Sequence, residues 1–245
     1  MTSFTEKRFN DSIVDRALFF SFWMLCGLWK CLRPNSKARA YSNQLLRRYL
    51  KELGGDILNV SGWEDSDRED RHYRNYYGTV NSYTVSNIEG NRGMPKNRAA
   101  DAAWIQLDIE LPLPRELNQR FDVVFCHTVL EHVFETRIAL SNLDKLSRDV
   151  VIIVVPFSQC VHYSEPYFDY VRFTPYYLDK FFRKCGFTTL LCDANEQPFT
   201  TSYVTYIAAR NPERHPEFAG AVRRFDISIS LDRFGRRRTG GLDDA

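Results

Sequence analysis

The sequence predicts an α/β protein with one parallel sheet covered on both faces. Three observations predict it. Short apolar runs alternate with helix-like segments over most of the chain. One run, Val150 to Val155 in DVVIIVVPF, is unbroken Val and Ile, as expected for a central strand buried on both sides. The chain has 245 residues and 44% hydrophobic content, enough for one full-sized core with extensions.

In chain order, residues 1–16 are polar. ALFFSFWMLCGLWKCL, Ala17 to Leu32, is strongly apolar, broken by Ser21, Gly27 and Lys30. It is shorter than the roughly 20 residues that cross a bilayer comfortably. A charged stretch precedes it and no small-residue cleavage site follows, so a secretory signal is a poor fit. It reads as a core or domain-capping helix, an interfacial helix touching a membrane or partner, or, last, a spanning anchor. Pro34 ends it. KARAYSNQLLRRYLKELGG then carries Leu45, Leu46, Tyr49, Leu50 and Leu53 near helical spacing, with Gly54 and Gly55 as the stop. The apolar runs that follow are 57–60, 83–88, 104–107, 121–126, 150–155, 188–191 and 203–208. Helical patterns fit between several of them, notably 133–146 and 175–184. From about Pro212 the pattern fades. The expected organisation is therefore an N-terminal extension with an apolar helix (1–40), one main domain (41–210) and a polar, flexible tail (211–245).

Net charge is +2, which argues against a dedicated nucleic-acid binder. The short basic clusters, Arg47-Arg48 and Arg236 to Arg238, read as solvated surface. The six cysteines form no CxxC pair, and no histidine stands at zinc-site spacing from two of them. Buried free thiols, no metal and a reducing cytoplasm follow as expectations.

In an open α/β sheet, ligands bind beyond the carboxyl ends of the strands. Polar residues collect there. Ser61-Gly62-Trp63-Glu64 follows the first run, Asn87 and Glu89 close the second, and Asp108 follows the third. The fourth leads into CHTVLEHV and the fifth into PFSQCVHYSEPYFDYVRFTP. FDVVFCHTVLEHV resembles the fourth-strand segment of class I S-adenosylmethionine-dependent methyltransferases. FFRKCGF resembles the stretch before that family's sixth strand. VVPFSQCVHYSEPYFDYVRFTPYYL is similar to a Pro, His, Asp, Arg and Thr pattern of a subgroup associated with surface-glycan and nucleotide-sugar pathways. The resemblance covers residues 40–210.

That resemblance implies a Rossmann-like, seven-stranded methyltransferase sheet, mostly parallel, with an antiparallel last hairpin, here with an N-terminal helical extension. It implies S-adenosylmethionine as cofactor. Carried over by position, Asn59, Ser61, Gly62 and Trp63 lie beside the methionine part, Asn87 or Glu89 near the ribose, Asp108 near the adenine, and His127 and Thr128 beside the cofactor after the fourth strand. The departures are Asn59 where the family's first motif is acidic, Ser61 at its first glycine, and Trp63 and Asp65 at the later ones. Asn59 keeps a hydrogen bond but loses the charge that would pair with the cofactor's ammonium, and a charge-assisted bond is roughly twice as strong as a neutral one.

Methyl transfer asks the protein to align nucleophile, methyl and sulfur, and a hydroxyl acceptor also needs a base. His162, after the fifth run, and His132, after Glu131, are the candidates. Asp169 and Arg172 stand three apart and can pair on a helical turn; Arg172 can alternatively grip an anionic acceptor group. Tyr163 opens an aromatic-rich stretch that suits stacking on a sugar or base. The resulting expectation is O-methylation of a saccharide or glycan intermediate. A catalytically inactive binding or scaffold protein is the alternative. Expected partners are a small-molecule or glycan acceptor, with a peripheral membrane contact through residues 17–32 and a homodimer both compatible. No GxGxxG follows a strand and no GxSxG elbow occurs, which sets aside dinucleotide oxidoreductases and acyl hydrolases.

Overall fold

The computed structural model describes residues 38–88, 102–162, 167–195 and 201–225, together with Phe20, Ser21 and Met24. Of the expected site residues, Glu89 and Tyr163 lie outside these, as does most of the apolar stretch 17–32. The chain divides into two compact units, residues 1–36 and 37–245. In the first, the described Phe20, Ser21 and Met24 are helical. Among the described residues no helix is long and apolar enough to cross a membrane.

Each apolar run forms a strand of one seven-stranded sheet. The strands are β1 (Gly55–Val60), β2 (Val80–Asn87), β3 (Ala102–Gln106), β4 (Phe121–His127), β5 (Ser147–Ser158), β6 (Thr188–Ala194) and β7 (Ser202–Ala209). Their order is β3-β2-β1-β4-β5-β7-β6. All neighbouring pairs are parallel except β5 with β7 and β6 with β7. Chain direction therefore brings the ends of β3, β2, β1, β4 and β5 to one edge. This is the sheet that the sequence predicted, including the antiparallel hairpin.

The unbroken β5 run serves two cores because its side chains alternate. Val151, Ile153 and Val155 pack under helix α2 (Thr136–Leu146) and helix α3 (Pro175–Lys184) through Leu140, Leu143, Leu178 and Phe182. Val150, Ile152 and Val154 pack on the opposite face with Leu46 and Tyr49 of helix α1 (Ala38–Tyr49). Thr174 caps α3, its Oγ1 accepting the Tyr177 N–H at 3.2 Å, and Pro175 fills the first turn. Gly186, at φ 85°, ends that helix. The described cysteines are all free, with Cys126 and Cys192 buried.

The sheet is not doubly wound by helices alone. Between β1 and β2 there is no α-helix, only a 3₁₀ turn at Tyr73–Tyr76. The reason is local. Residues 61–70 carry five left-handed positions, Ser61, Trp63, Asp65, Arg68 and Asp70, and such a backbone cannot continue as a right-handed helix. Side chains replace the missing helix. Asp67 Oδ1 accepts the N–H groups of Glu69 (2.7 Å) and Arg71 (3.0 Å), and its Oδ2 accepts the Tyr76 hydroxyl at 2.5 Å. Tyr73, Tyr76 and Tyr77 then fill the face that a helix would cover.

The stretch after residue 211, expected to be a flexible tail, also begins packed. Phe218 is buried and stacks on Tyr49 at 4.8 Å. His215 Nε2 lies 3.0 Å from Asp149 and its Nδ1 3.3 Å from Glu217. The hydrogen bond to Asp149 is the main cause that raises the His215 pKa above its ordinary 6.5. Burial opposes ionisation of Asp149, yet bonds from His215 and Asn211 hold its carboxyl below the ordinary 3.8. A raised histidine pKa contributes stability that is complete below 6.5 and fades as pH rises through the folded value. A lowered carboxyl pKa contributes above 3.8 and fades as pH falls through its folded value. Together they contribute most between those limits. Thermal melts should therefore show a larger gap between the natural chain and His215→Gln near about pH 5.5 than near about pH 8.

Candidate functional site

The turn after β1 keeps the backbone shape of a glycine loop without its glycines. Ser61, Trp63 and Asp65 have φ of 50°, 48° and 55°. Each such L-residue costs about 1–2 kcal/mol, most for a bulky side chain. Specific bonds hold the shape. Ser61 N–H donates to Ser86 Oγ (3.1 Å), Gly62 N–H to the Ser86 carbonyl (3.2 Å) and Trp63 N–H to Asn87 Oδ1 (3.1 Å). Below the turn, Asp65 is buried and accepts from Asn59 Nδ2 (2.7 Å), the Tyr83 hydroxyl (2.6 Å) and the Arg74 N–H (3.1 Å). Burial raises its carboxyl pKa against the pull of these donors.

Three features of the turn, expected beside the cofactor, also have a part in holding the loop. Asn59 faces its own loop, and its amide holds Asp65. Gly62 is required by Asn59, because a Cβ there would meet the Asn59 side chain at 2.5 Å. The turn's N–H groups are spent on β2, so what it presents outward is the Trp63 ring, 47% exposed. Beside it, Asn87 ends β2, and Asp108 follows β3 with its Oδ1 accepting the Glu110 N–H at 2.8 Å. No hydrogen bond among the described residues engages the second polar atom of either side chain.

At the end of β4, His127 is buried against Tyr73, with ring centroids 5.2 Å apart. Burial, with Arg39 close by, drives its pKa well below 6.5, so the ring is neutral. Arg39, from the first turn of α1, donates to Tyr73 Oη (3.1 Å), Thr128 Oγ1 (3.2 Å) and His127 Nδ1 (3.3 Å). Thr128 is left-handed at φ 51° and is tied to β5 through the Val154 carbonyl at 2.7 Å. These partners of Arg39 are all neutral.

A second group forms where the end of β4 meets the segment after β5. Glu131 and His132 sit in a 3₁₀ turn, Leu130–His132, and His162 comes from beyond β5. The His132 and His162 rings are 5.0 Å apart, edge to face. Each Nδ1 has an accepting oxygen in reach, the Phe168 carbonyl at 2.9 Å for His132 and Asp169 Oδ2 at 3.0 Å for His162, and His162 Nδ1 also lies 3.4 Å from Gln159 Nε2. In the tautomer that places the proton on Nδ1, each ring keeps a lone pair on Nε2. Glu131 is buried, its Oε1 3.9 Å from His132 Nε2 and its Oε2 without a partner. Burial pushes this carboxyl up to about 7. Asp169 is chelated by both terminal nitrogens of Arg172, which holds its carboxyl down at about 2. The pair occurs as the spacing predicted, though in irregular chain rather than on a helix. With its guanidinium on Asp169, on the Val171 carbonyl (2.9 Å) and near the Gln159 carbonyl, Arg172 clamps the loop.

No family model and no curated protein matches the chain. Solved structures do. The chain is similar to 1,6-didemethyltoxoflavin-N1-methyltransferase of Burkholderia thailandensis, crystallised with 1,6-didemethyltoxoflavin and S-adenosylhomocysteine. The match has TM-score 0.51 and 14% identity, over 84% of this chain and 92% of that one. It is similar to magnesium protoporphyrin IX methyltransferase of Synechocystis PCC 6803 with bound SAH, at TM-score 0.50 and 14% identity, covering 70% and 83%. A putative methyltransferase of Haloferax volcanii, in complex with its Trm112 activator, gives 0.51 and 12%, covering 78% and 95%. The chain has the Rossmann-like methyltransferase fold.

On this fold the site holds residues that sequence reasoning passed over. Arg39 looks like any solvated helix cation in KARAYSNQ, and Asp65, marked only as a replaced glycine, gives no sign that its carboxyl is buried. Glu131 was in view inside LEHV, but only its burial, invisible in the sequence, sets it apart.

Proposed function

We propose that this chain is an S-adenosylmethionine-dependent methyltransferase that acts on an oxygen acceptor. The observation that carries the reading is the pairing, on a methyltransferase sheet, of an Arg39 guanidinium with neutral partners and an acceptor-side pair of imidazoles with free Nε2 atoms. The residues present suit the cofactor. Among the described residues no carboxylate pairs with the Arg39 guanidinium, and the cofactor's amino-acid end would supply one. Asn87 and Asp108 keep polar atoms at the ends of β2 and β3 for the ribose and adenine, with the Trp63 ring alongside. When bound, the cofactor supplies an activated methyl group on its sulfonium. The protein's own task is alignment and acceptor handling. His162, oriented by Asp169, and His132, oriented by the Phe168 carbonyl, engage the acceptor hydroxyl, and the free Nε2 of His162 is placed to receive its proton.

A saccharide is the acceptor class the reading favours. Phe134, Tyr167, Phe168 and Tyr170 are exposed around the histidines and offer faces on which sugar rings stack. Replacing the cation tests the cofactor half of the reading. Arg39→Ala should weaken S-adenosylmethionine binding roughly tenfold, the loss of one charge-assisted contact, read by calorimetry. Unchanged affinity would remove Arg39 from the site. The alternative, a catalytically inactive binding protein on the same fold, draws on one fact: the N–H groups of residues 61–63 are satisfied internally. Absence of cofactor binding in a folded sample would favour it.

A further inference from the structure

We propose that Glu131, His132 and His162 bind a divalent first-row transition metal ion, with zinc the best fit, and that its open position takes the acceptor oxygen. The binding of the ion stands on the geometry below; its use on an acceptor rests on the methyl-transfer reading.

The three side chains each offer one ligand atom, and these atoms lie within 4.8 Å of one another. Bonds of about 2.0–2.2 Å in a tetrahedral site put ligand atoms roughly 3.3–3.5 Å apart. Closing the group from that limit is a contraction of about 1.5 Å at most, within the reach of side-chain torsions. The donor set, two imidazoles and one carboxylate, is that of catalytic zinc sites that keep a fourth position for water or substrate. Exposure agrees: the Glu131 side chain is 3% exposed, His132 20% and His162 42%, so the group opens toward solvent on the histidine side.

Two further observations point to a cation. Glu131 Oε2 is buried with no hydrogen-bond partner, and although Arg172 and Arg39 act on this carboxyl through space, no Lys or Arg among the described residues lies within ion-pair distance of it. A buried carboxyl left so is costly unless something positive meets it. Both imidazoles are also set as metal ligands are. A ligating histidine donates its other N–H to a carboxylate or carbonyl, which fixes the ring and the tautomer; His162 Nδ1 stands 3.0 Å from Asp169 Oδ2 and His132 Nδ1 2.9 Å from the Phe168 carbonyl, in reach of such bonds. An ion here would hold the acceptor hydroxyl and make its proton easier to lose. The imidazoles would then serve as ligands, and the proton would leave to solvent.

The test is equilibrium dialysis of the full-length chain, stripped of metal, against Co²⁺ and Zn²⁺, with the visible absorption of Co²⁺ as the readout. The expected result is one equivalent bound, with Co²⁺ bands that vanish in His162→Ala and Glu131→Gln. Asp169→Asn, which removes no ligand of the ion and only loosens the hold on His162, should weaken binding by about 10–100-fold. His215→Gln, in the other histidine–carboxylate group, should leave the bands unchanged. No stoichiometric binding, or bands that survive His162→Ala, would overturn the site. Circular dichroism of each variant separates lost binding from lost folding. Titration of the same samples with S-adenosylmethionine separates the readings. Cofactor binding without metal binding overturns the metal site alone. Metal binding without cofactor binding leaves the metal site standing and overturns methyl transfer.

Discussion

Asp65→Ala will lower the stability of the folded chain by about 3 kcal/mol, the lower range for breaking a buried polar network. Asp65 receives three donors: Asn59 Nδ2, the Tyr83 hydroxyl and the Arg74 N–H. Tyr83 and Asn59 are themselves buried. Truncation strands both, and each orphaned buried group costs about 1–3 kcal/mol. The left-handed backbone at position 65 remains for alanine to bear. Against this stands the expense of keeping a carboxyl out of water, which burial already imposes on Asp65. That expense is why the loss stays near 3 rather than exceeding about 5 kcal/mol. Denaturant unfolding measures it. A change below about 0.5 kcal/mol would mean that the turn after β1 does not depend on this anchor.

His162→Ala will reduce methyl transfer by about 10²–10⁴-fold, the usual worth of a group that receives the reacting proton or, with an ion bound, helps to hold the ion that eases its loss. Cofactor affinity should not change, because His162 stands beyond β5 and Arg39, Asn87 and Asp108 belong to other elements. Labelled methyl transfer into a panel of free and lipid-linked saccharides gives the rate, and calorimetry the affinity. A rate within twofold of the natural chain would remove His162 from the chemistry. Equal losses of rate and cofactor affinity would give it a structural role only.

The sheet was legible because its signal is local. Val150 to Val155 has no other economical conformation than a strand buried on both sides, and the other runs carry the same β-branched bias. Helix α3 was legible from Thr174-Pro175 at its start and Gly186 past its end. The turn after β1 was only half legible. Its position beyond a strand marked it, and the replaced glycines at 61, 63 and 65 fall on left-handed residues. What keeps that shape, however, is Asp65 reaching back to Asn59 and across to Tyr83, and no spacing rule announces such a bond. The same holds for the acceptor side. Asp169 and Arg172 are near neighbours in sequence, so their pairing could be read. Glu131 and His162 meet only because β4 and β5 are adjacent in the sheet. The burial that leaves Glu131 Oε2 without a partner is a property of the folded chain.

The measurement that bears most directly on the central claim is calorimetric titration of the full-length chain with S-adenosylmethionine, with S-adenosylhomocysteine as a check. The account predicts saturable, micromolar binding at one site, weakened by Asp108→Ala and by Arg39→Ala. No heat and no thermal shift at millimolar ligand, from a chain shown to be folded, would contradict it. The methyltransferase sheet would then serve a task that needs no cofactor.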